Sequence, residues 1–405
     1  MAFRFLGRLP ASKSILNRLL VIQSFSAGGL QIDGESSCDD VKYMREALSL
    51  VMGRKDALAP VDCGAAGTTF RFLALRASRF PGRHLLRGSE RLLARPQGAL
   101  IGILEQLGVQ AELNSRGLLI DSKGWQSPKN GALMIDRSQS SQFASAVMLS
   151  AWDLDFDLSI QLVSEGETPS EGYLVMSEAL LCEAGMSFHR EAGNSLTIKK
   201  GSQVRATMMK AEPDLSSCFA IAALAAINEN SSACIEAFPR QSLQPDAVFP
   251  QVLRHLGVEV RHDVGRDELK INGVSRLRSL EMNLGDCPDL FPVLAVLCAF
   301  AEGRSNLFGA KHLIHKESDR IKCIAELVRA LGREVELRAD GLVIHGRGLH
   351  EVSRDPWEFD PQEDHRLAMA AAVAQVAGSG VRVLHPEVVN KSFPEFWQIF
   401  RGGRA

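Results

Sequence analysis

Residues 140–152, Ser140-Ser141-Gln142-Phe143-Ala144-Ser145-Ala146-Val147-Met148-Leu149-Ser150-Ala151-Trp152, decide the fold. Two serines open the stretch, and the residues after them are small-rich and apolar on every side. That pattern predicts a helix buried all round, with a polar start. The same event recurs along the chain. Lys13-Ser14 precedes ILNRLLVIQSF, Gly67-Thr68 precedes TFRFLALRA, and Ser216-Ser217 precedes CFAIAALAAI. Asp289 precedes LFPVLAVLCAF, and His365 precedes RLAMAAAVAQVA. From Ser14 through Gly67, Ser140, Ser216, Asp289 and His365 the intervals are 53, 73, 76, 73 and 76 residues. The last four are nearly constant, and the first is short.

A second series keeps step with it. EQLGVQAEL, CEAGMSFHR, RHLGVEVRH and RALGREVEL each end a helix at a glycine and enter an alternating strand. The glycines are Gly108, Gly185, Gly257 and Gly332, spaced by 77, 72 and 75 residues. Glycine suits the left-handed position that ends a helix. A turn and a second strand come after each: LLID, LTIKKG, LKING and LVIHGRG. The unit is helix, helix, strand, turn, strand. Its length exceeds that of solenoid repeats, so six units predict two globular α/β domains of three units each. The first unit is shortened because RKDALAP, after the helix ending near Met52-Gly53, leaves little room for a hairpin. Amphipathic partners, Arg95–Leu107 and Ile321–Leu331, are expected to cover the buried helices from outside.

Composition narrows the function. A chain of 405 residues exceeds what one core usually serves. The formal net charge of −2 gives no whole-molecule field for nucleic acid or membrane, so neither is an expected partner. The apolar runs are too short to span a bilayer, and the stretch MAFRFLGRLPASKS has no long apolar run before a small-residue cleavage site, so a secretory signal is not expected. Eight cysteines without a CxxC pair read as buried thiols of a cytoplasmic protein. Anion binding must therefore come from local clustering, and buried helix starts supply it with unpaired N–H groups. Each such dipole contributes only about 0.3–1 kcal/mol, so cations must do most of the binding. Lys13, Arg18, Arg71, Arg95, Lys316, Arg320, Arg366 and Lys391 stand in the same loops. GAAGTT lacks the terminal Lys-Ser/Thr of a nucleotide-binding loop, and no GxSxG elbow of a serine hydrolase is present. His312 and His315 are unaccompanied by further ligands at metal-site spacing, so neither metal nor other cofactor is expected.

The ordered set KSILNR, GAAGTTFRFL, RP at 95–96, SSQF, EPDLSS, PDLFP, HKESDRI, DHRLAMA and NKSFPEF resembles the 5-enolpyruvylshikimate-3-phosphate synthase family over residues 13–396. The resemblance implies a two-domain enolpyruvyl transferase fold of βαβαββ repeats. Residues 13–211 would form one domain, and residues 1–12 with 212–405 the other, with crossovers near Ser12 and Ala211. The active site would lie in the cleft between them. The implied reaction joins the 5-hydroxyl of shikimate 3-phosphate to C2 of phosphoenolpyruvate and releases phosphate, in a protein that acts as a monomer.

Carried over by resemblance, Ser140, Ser141 and Ser170 hold the acceptor's phosphate. Gln142, Tyr173, Ser14, Arg18 and Lys316 orient its ring and hydroxyls. Lys13, Gly67, Arg95 and Lys391, with Gln142, take the phosphoenolpyruvate phosphate. Arg320 and Arg366 clamp its carboxylate, a task for planar forks. Asp289 takes the hydroxyl proton, Glu317 protonates the methylene carbon, and Lys13 serves the bridging oxygen or the departing phosphate. The bland alternatives are a helix cap for Asp289, an exposed helical pair with Arg320 for Glu317 and a structural imidazole for His365. Departures from the family pattern are Ala65, Phe72, His312, Ile314 and the short first unit. Two other readings are the transferase that uses a UDP-amino sugar and a non-catalytic binder of an anionic metabolite.

Overall fold

The computed structural model describes residues 2–26, 29–53, 59–164, 168–191, 194–349 and 352–404. The chain divides into two compact units, Lys13–Ala211 and Met1–Ser12 with Glu212–Ala405. We call the second the terminal unit, because it holds both chain ends.

In the 13–211 unit the small-rich helices Lys13–Gln23, Gly67–Ala77 and Gln142–Leu149 are the inner layer. Every residue of the last from Phe143 to Leu149 is buried. The outer helices are one-sided. Asp39–Met52 buries Val41, Met44, Ala47, Leu48 and Val51, a three-and-four spacing that lays one stripe on the core. Two four-stranded sheets also belong to this unit. Val61–Asp62, Gly82–Arg87, Gly117–Ser122 and Gln110–Asn114 make one, and Leu133–Asp136, Leu158–Val163, Ser195–Ile198 and Phe188–Glu191 the other. In each the first pair is parallel and the other two antiparallel.

The terminal unit repeats the scheme with Leu215–Ala226, Phe291–Ala299 and His365–Val376 as its inner helices, the first two buried at every residue. Each large aliphatic side chain so buried contributes about 1.5–3 kcal/mol. Arg4–Gly7 runs parallel to Ser232–Ile235, so the N-terminal strand is part of this unit's sheet.

Gly108, Gly185, Gly257 and Gly332 all have φ between +75° and +103°. After each, the next N–H returns to the carbonyl five residues back, as from Val109 to Leu104 and from Val258 to Leu253, both at 2.9 Å. These are the helix stops the spacing anticipated. The hairpins repeat as closely. Leu86 pairs with Leu118, and Leu307 with Leu342. The residue before the return strand's leucine is glycine in both. A Cβ on Gly117 would stand 2.1 Å from the Leu86 carbonyl oxygen, and one on Gly341 1.9 Å from that of Leu307.

The first repeat is short, as the sequence reading expected, and two other details differ from that reading. The short first repeat has a sheet of two strands only, Gln31–Asp33 parallel to Met208–Lys210; residues 54–58, on which part of that expectation rests, lie outside the described residues. The last repeat is short as well, with Trp357–Phe359 parallel to Val381–Val383. The stretch 95–107 is not one helix: Glu90–Leu93 ends before Arg95-Pro96, and Gly98–Gln106 begins after it. Proline disfavours helical backbone in the residue before it. Among the described residues no helix is long and apolar enough to cross a membrane. Cys182 is exposed and Cys234 half-buried, whereas the other six thiols are buried as expected.

Candidate active site

The helix starts sort into two kinds. Gly67–Ala77 is preceded by Ala66, which has no polar side chain to cap it, and neither Ser141 nor Ser170 caps its own helix through its hydroxyl, although the Gln142 N–H donates to Ser140 Oγ at 3.2 Å, a neutral partner. Leu215–Ala226 and His365–Val376, by contrast, are capped by carboxylates. Asp214 accepts from the Ser217 N–H at 2.9 Å, and Asp364 from the Arg366 N–H at 3.0 Å. Their first turns carry their own anions. Ser216-Ser217 therefore lies inside a helix begun at Leu215, and His365 is the buried first residue of its helix rather than its predecessor. Not all six starts are open to a ligand.

In the 13–211 unit three groups form around the open starts. Lys13 Nζ donates to Asp40 Oδ2 at 2.9 Å, with side chains only 13% and 8% exposed. Asp40 stands in the first turn of Asp39–Met52, where the helix dipole favours a carboxylate. Arg18, one turn along from Ser14, is buried. Its Nε donates to Ser177 Oγ at 2.7 Å, Nη1 to the Ser14 carbonyl at 2.7 Å and Nη2 to the Tyr173 carbonyl at 3.2 Å. Its guanidinium lies 5.3 Å from the Phe72 ring centroid and 6.0 Å from that of Tyr173. Burial lowers the Arg18 pKa to about 10, while Tyr173 acts in the opposite sense.

The third group centres on Arg71, which the sequence marked as a cation without a task. Its Nη1 donates to Gln142 Oε1 at 2.9 Å and to Ser140 Oγ at 3.2 Å, and its Nε to Gln97 Oε1 at 3.2 Å. Gln142 Nε2 donates in turn to Thr68 Oγ1 at 3.2 Å. Arg95 lies over Gly67, so close that a Cβ there would meet its Nη1 at 2.6 Å. Gly67, Arg95, Ser140 and Gln142 thus gather at the starts of two neighbouring inner helices. Ser170 has φ +62° and ψ +36°, a left-handed conformation that costs a serine about 1–3 kcal/mol.

In the terminal unit the acids and cations interlock. Asp289 lies in the short 3-10 turn Pro288–Leu290, with Leu290 as the boundary of the helix beyond it, so it is not that helix's cap. Its carboxylate accepts from Arg320 Nη1 at 3.0 Å and from Arg366 Nη2 at 2.6 Å. Arg320 Nη2 also donates to Glu317 Oε2 at 3.1 Å, and its Nε to Asp364 Oδ2 at 2.7 Å. Lys391 Nζ is 3.6 Å from Glu317 Oε1. Glu317 is neither exposed nor helical, since the helix begins at Arg320 and the Glu317 side chain is 13% exposed. Burial opposes the Arg320 charge, but Asp364, Glu317 and Asp289 outweigh it and hold the pKa above the ordinary value.

Asp364 is the residue that sequence reasoning missed here. It caps one helix and anchors Arg320 at once, and its place immediately before His365-Arg366 was the available signal. Lys316 ends the 3-10 turn Lys311–His315 and lies close enough to His312 to act on its charge. His312 is buried, and its Nε2 has no hydrogen-bond partner among the described residues.

Known proteins share both the sequence and this architecture. The sequence model of the family described as EPSP synthase (3-phosphoshikimate 1-carboxyvinyltransferase) matches residues 7–400. A relative from Mycobacterium ulcerans (strain Agy99), named 3-phosphoshikimate 1-carboxyvinyltransferase, is 32% identical, covering 97% of this chain and 93% of its own. One of the same name from Thermococcus kodakarensis is 31% identical over 97% of this chain and 95% of its own. The solved structure of an EPSP synthase from Acinetobacter baumannii shares the fold, with a TM-score of 0.74 at 22% identity, covering 99% of this chain and 96% of that one. The enolpyruvyl transferase NikO from Streptomyces tendae shares it with a TM-score of 0.70 at 15% identity, covering 100% and 94%. The chain belongs to the EPSP synthase family.

Proposed function

We propose that this protein transfers the enolpyruvyl group of phosphoenolpyruvate to the 5-hydroxyl of shikimate 3-phosphate. The observation that carries the reading is Asp289, one carboxylate held between the forks of Arg320 and Arg366, with Glu317 on the same Arg320. A proton acceptor and a proton donor beside fixed cations are what addition to a charged enol ester requires.

In the proposed sequence Asp289 takes the proton of the 5-hydroxyl as its oxygen bonds to C2, and Glu317 delivers a proton to C3. The C3 methyl of the tetrahedral intermediate then loses a proton as the C2–O bond to phosphate breaks, and inorganic phosphate departs. Arg320 and Arg366 hold the donor's carboxylate. Because Asp289 occupies both forks, the substrate carboxylate must share or take over those donors. Lys13, Gly67, Arg95, Gln142 and Lys391 receive the donor's phosphate. Lys13 protonates the bridging oxygen or offsets the leaving charge. Ser140, Ser141 and Ser170 take the acceptor's phosphate, while Ser14, Arg18, Tyr173, Gln142 and Lys316 orient its ring. Arg18 supports this reading, because it is a buried cation whose hydrogen bonds run to a hydroxyl and two carbonyls.

The test is phosphate release from phosphoenolpyruvate with shikimate 3-phosphate and, separately, with a UDP-amino sugar. Release with the first acceptor alone is expected. Release with the second alone assigns the chain to the rival transferase, and binding without release makes it a sensor. The protein is proposed to be cytoplasmic, on the strength of its free thiols, and a monomer, as the family resemblance implies. Sedimentation checks the oligomeric state.

A further inference from the structure

The strand Leu133–Asp136 ends one residue before Arg137, whose N–H still donates to the Val163 carbonyl at 2.9 Å and fixes the backbone there. Asp136 closes the next turn by accepting from the Ser138 N–H at 2.8 Å and Ser138 Oγ at 2.9 Å. Arg137 is therefore rigidly placed three residues before Ser140. Its side chain is only 5% exposed, and its Nη1 pairs with Glu171 Oε2. Glu171 is the first residue of the thirteen-residue helix Glu171–Glu183 and comes directly after the left-handed Ser170.

The second observation concerns the rest of that guanidinium. Arg137 Nε is buried and has no hydrogen-bond partner among the described residues. A buried N–H left bare costs about 1–3 kcal/mol, and native proteins seldom leave one so. A pair that served only to tie strand to helix would not need it. The Glu171 carboxylate is by contrast 36% exposed, and so free to turn to water.

We propose that Arg137, at the start of the Glu171–Glu183 helix, is a binding residue for the acceptor's phosphate, and that Glu171 is the resident carboxylate which that phosphate displaces. This rests on the reading of Ser140, Ser141 and Ser170 as the acceptor-phosphate set and adds a cation to it. A dianionic phosphate recruits the bare Nε and the helix N–H groups together, whereas Glu171 engages Nη1 alone.

The two partners of the pair should respond with opposite signs. Arg137→Ala raises KM for shikimate 3-phosphate roughly 10–100-fold, the loss of a charge-assisted hydrogen bond, with KM for phosphoenolpyruvate unchanged. Glu171→Gln lowers KM for shikimate 3-phosphate, because a competing anion is gone. A KM within twofold of wild type for Arg137→Ala, or a raised KM for Glu171→Gln, overturns the proposal and leaves a structural ion pair. Glu171→Gln carries the test by itself if Arg137→Ala does not fold.

Inorganic phosphate separates this inference from the transferase reading. Phosphate should raise the melting temperature of the wild type and do so less in Arg137→Ala, whether or not product forms. Equal shifts in both proteins contradict the subsite. Absence of turnover in the wild type contradicts the transferase reading alone.

Discussion

Asp289 has two tasks that the sequence does not separate. It is the proposed base, and it is also the counter-charge between two buried arginines. Removing one partner of a buried pair costs up to about 3–5 kcal/mol. Asp289→Ala is therefore expected to lower stability as well as turnover. Asp289→Asn keeps the acceptor oxygen and should lose roughly 10²–10⁴ in kcat, with a smaller fall in melting temperature. Phosphate-release kinetics beside calorimetry check the pair. If Asp289→Asn matches wild-type kcat, it is not the base.

Asp40 stands in a like pair, with its carboxylate on the Lys13 ammonium. Asp40→Asn should raise KM for phosphoenolpyruvate several-fold, because Lys13 loses the partner that holds it in place. A KM equal to that of the wild type would show the pair to be idle in turnover. His312 gives a prediction about pH and stability. Burial first, then Lys316, Arg320 and His315, push its pKa down from 6.5 to about 3, with Asp289 pulling the other way. Between those values the unfolded chain binds a proton that the folded chain refuses. The contribution is thus fully present above about pH 6.5 and lost as pH falls toward 3. His312→Gln should flatten the acid side of a stability–pH curve from urea melts, and an unchanged slope would remove His312 as its cause.

At the scale of elements, the inner helices and the four glycine stops were legible because each has a local cause: all-round apolarity in one case, a left-handed backbone in the other. Asp364, Asp40 and Arg137 were not legible, because their importance lies in partners far away in the chain. Asp364 meets Arg320 across 44 positions, and Arg137 meets Glu171 across 34. The shortening of the last repeat escaped notice for a related reason, since the helix start at His365 keeps the regular spacing and, among the described residues, a single strand, Val381–Val383, follows that helix in place of a hairpin. Phe72, an unexplained departure in sequence, lies in contact with the buried Arg18 guanidinium. Gly117 and Gly341 test the repeat itself. Alanine at either puts a Cβ about 2 Å from a strand carbonyl, so each should destabilise its own unit by about 1–3 kcal/mol or more. Chemical denaturation monitored in both units checks this, and tolerance of alanine at either glycine would mean that the two hairpins are not equivalent.

At the scale of the whole molecule, the chemistry is divided between units of like architecture. The 13–211 unit sets cations and hydroxyls at the starts of Gly67–Ala77 and Gln142–Leu149, where Ala66 and Ser141 supply no side-chain cap. The terminal unit caps two of its own starts with Asp214 and Asp364 and gathers its acids around Arg320 instead. On the proposed reading the 13–211 unit supplies the hydroxyls for the acceptor's phosphate, and the terminal unit supplies the base Asp289 and the acid Glu317 beside Arg320. The most direct measurement of this division of labour is the reaction of phosphoenolpyruvate with shikimate 3-phosphate in deuterated water, monitored by proton and phosphorus magnetic resonance. Addition and elimination through a C3 methyl predict a new enol ether whose methylene carries deuterium, one inorganic phosphate per product, and a much slower reaction for Glu317→Gln. An enol ether free of deuterium, or phosphate released with no enol ether, would contradict it.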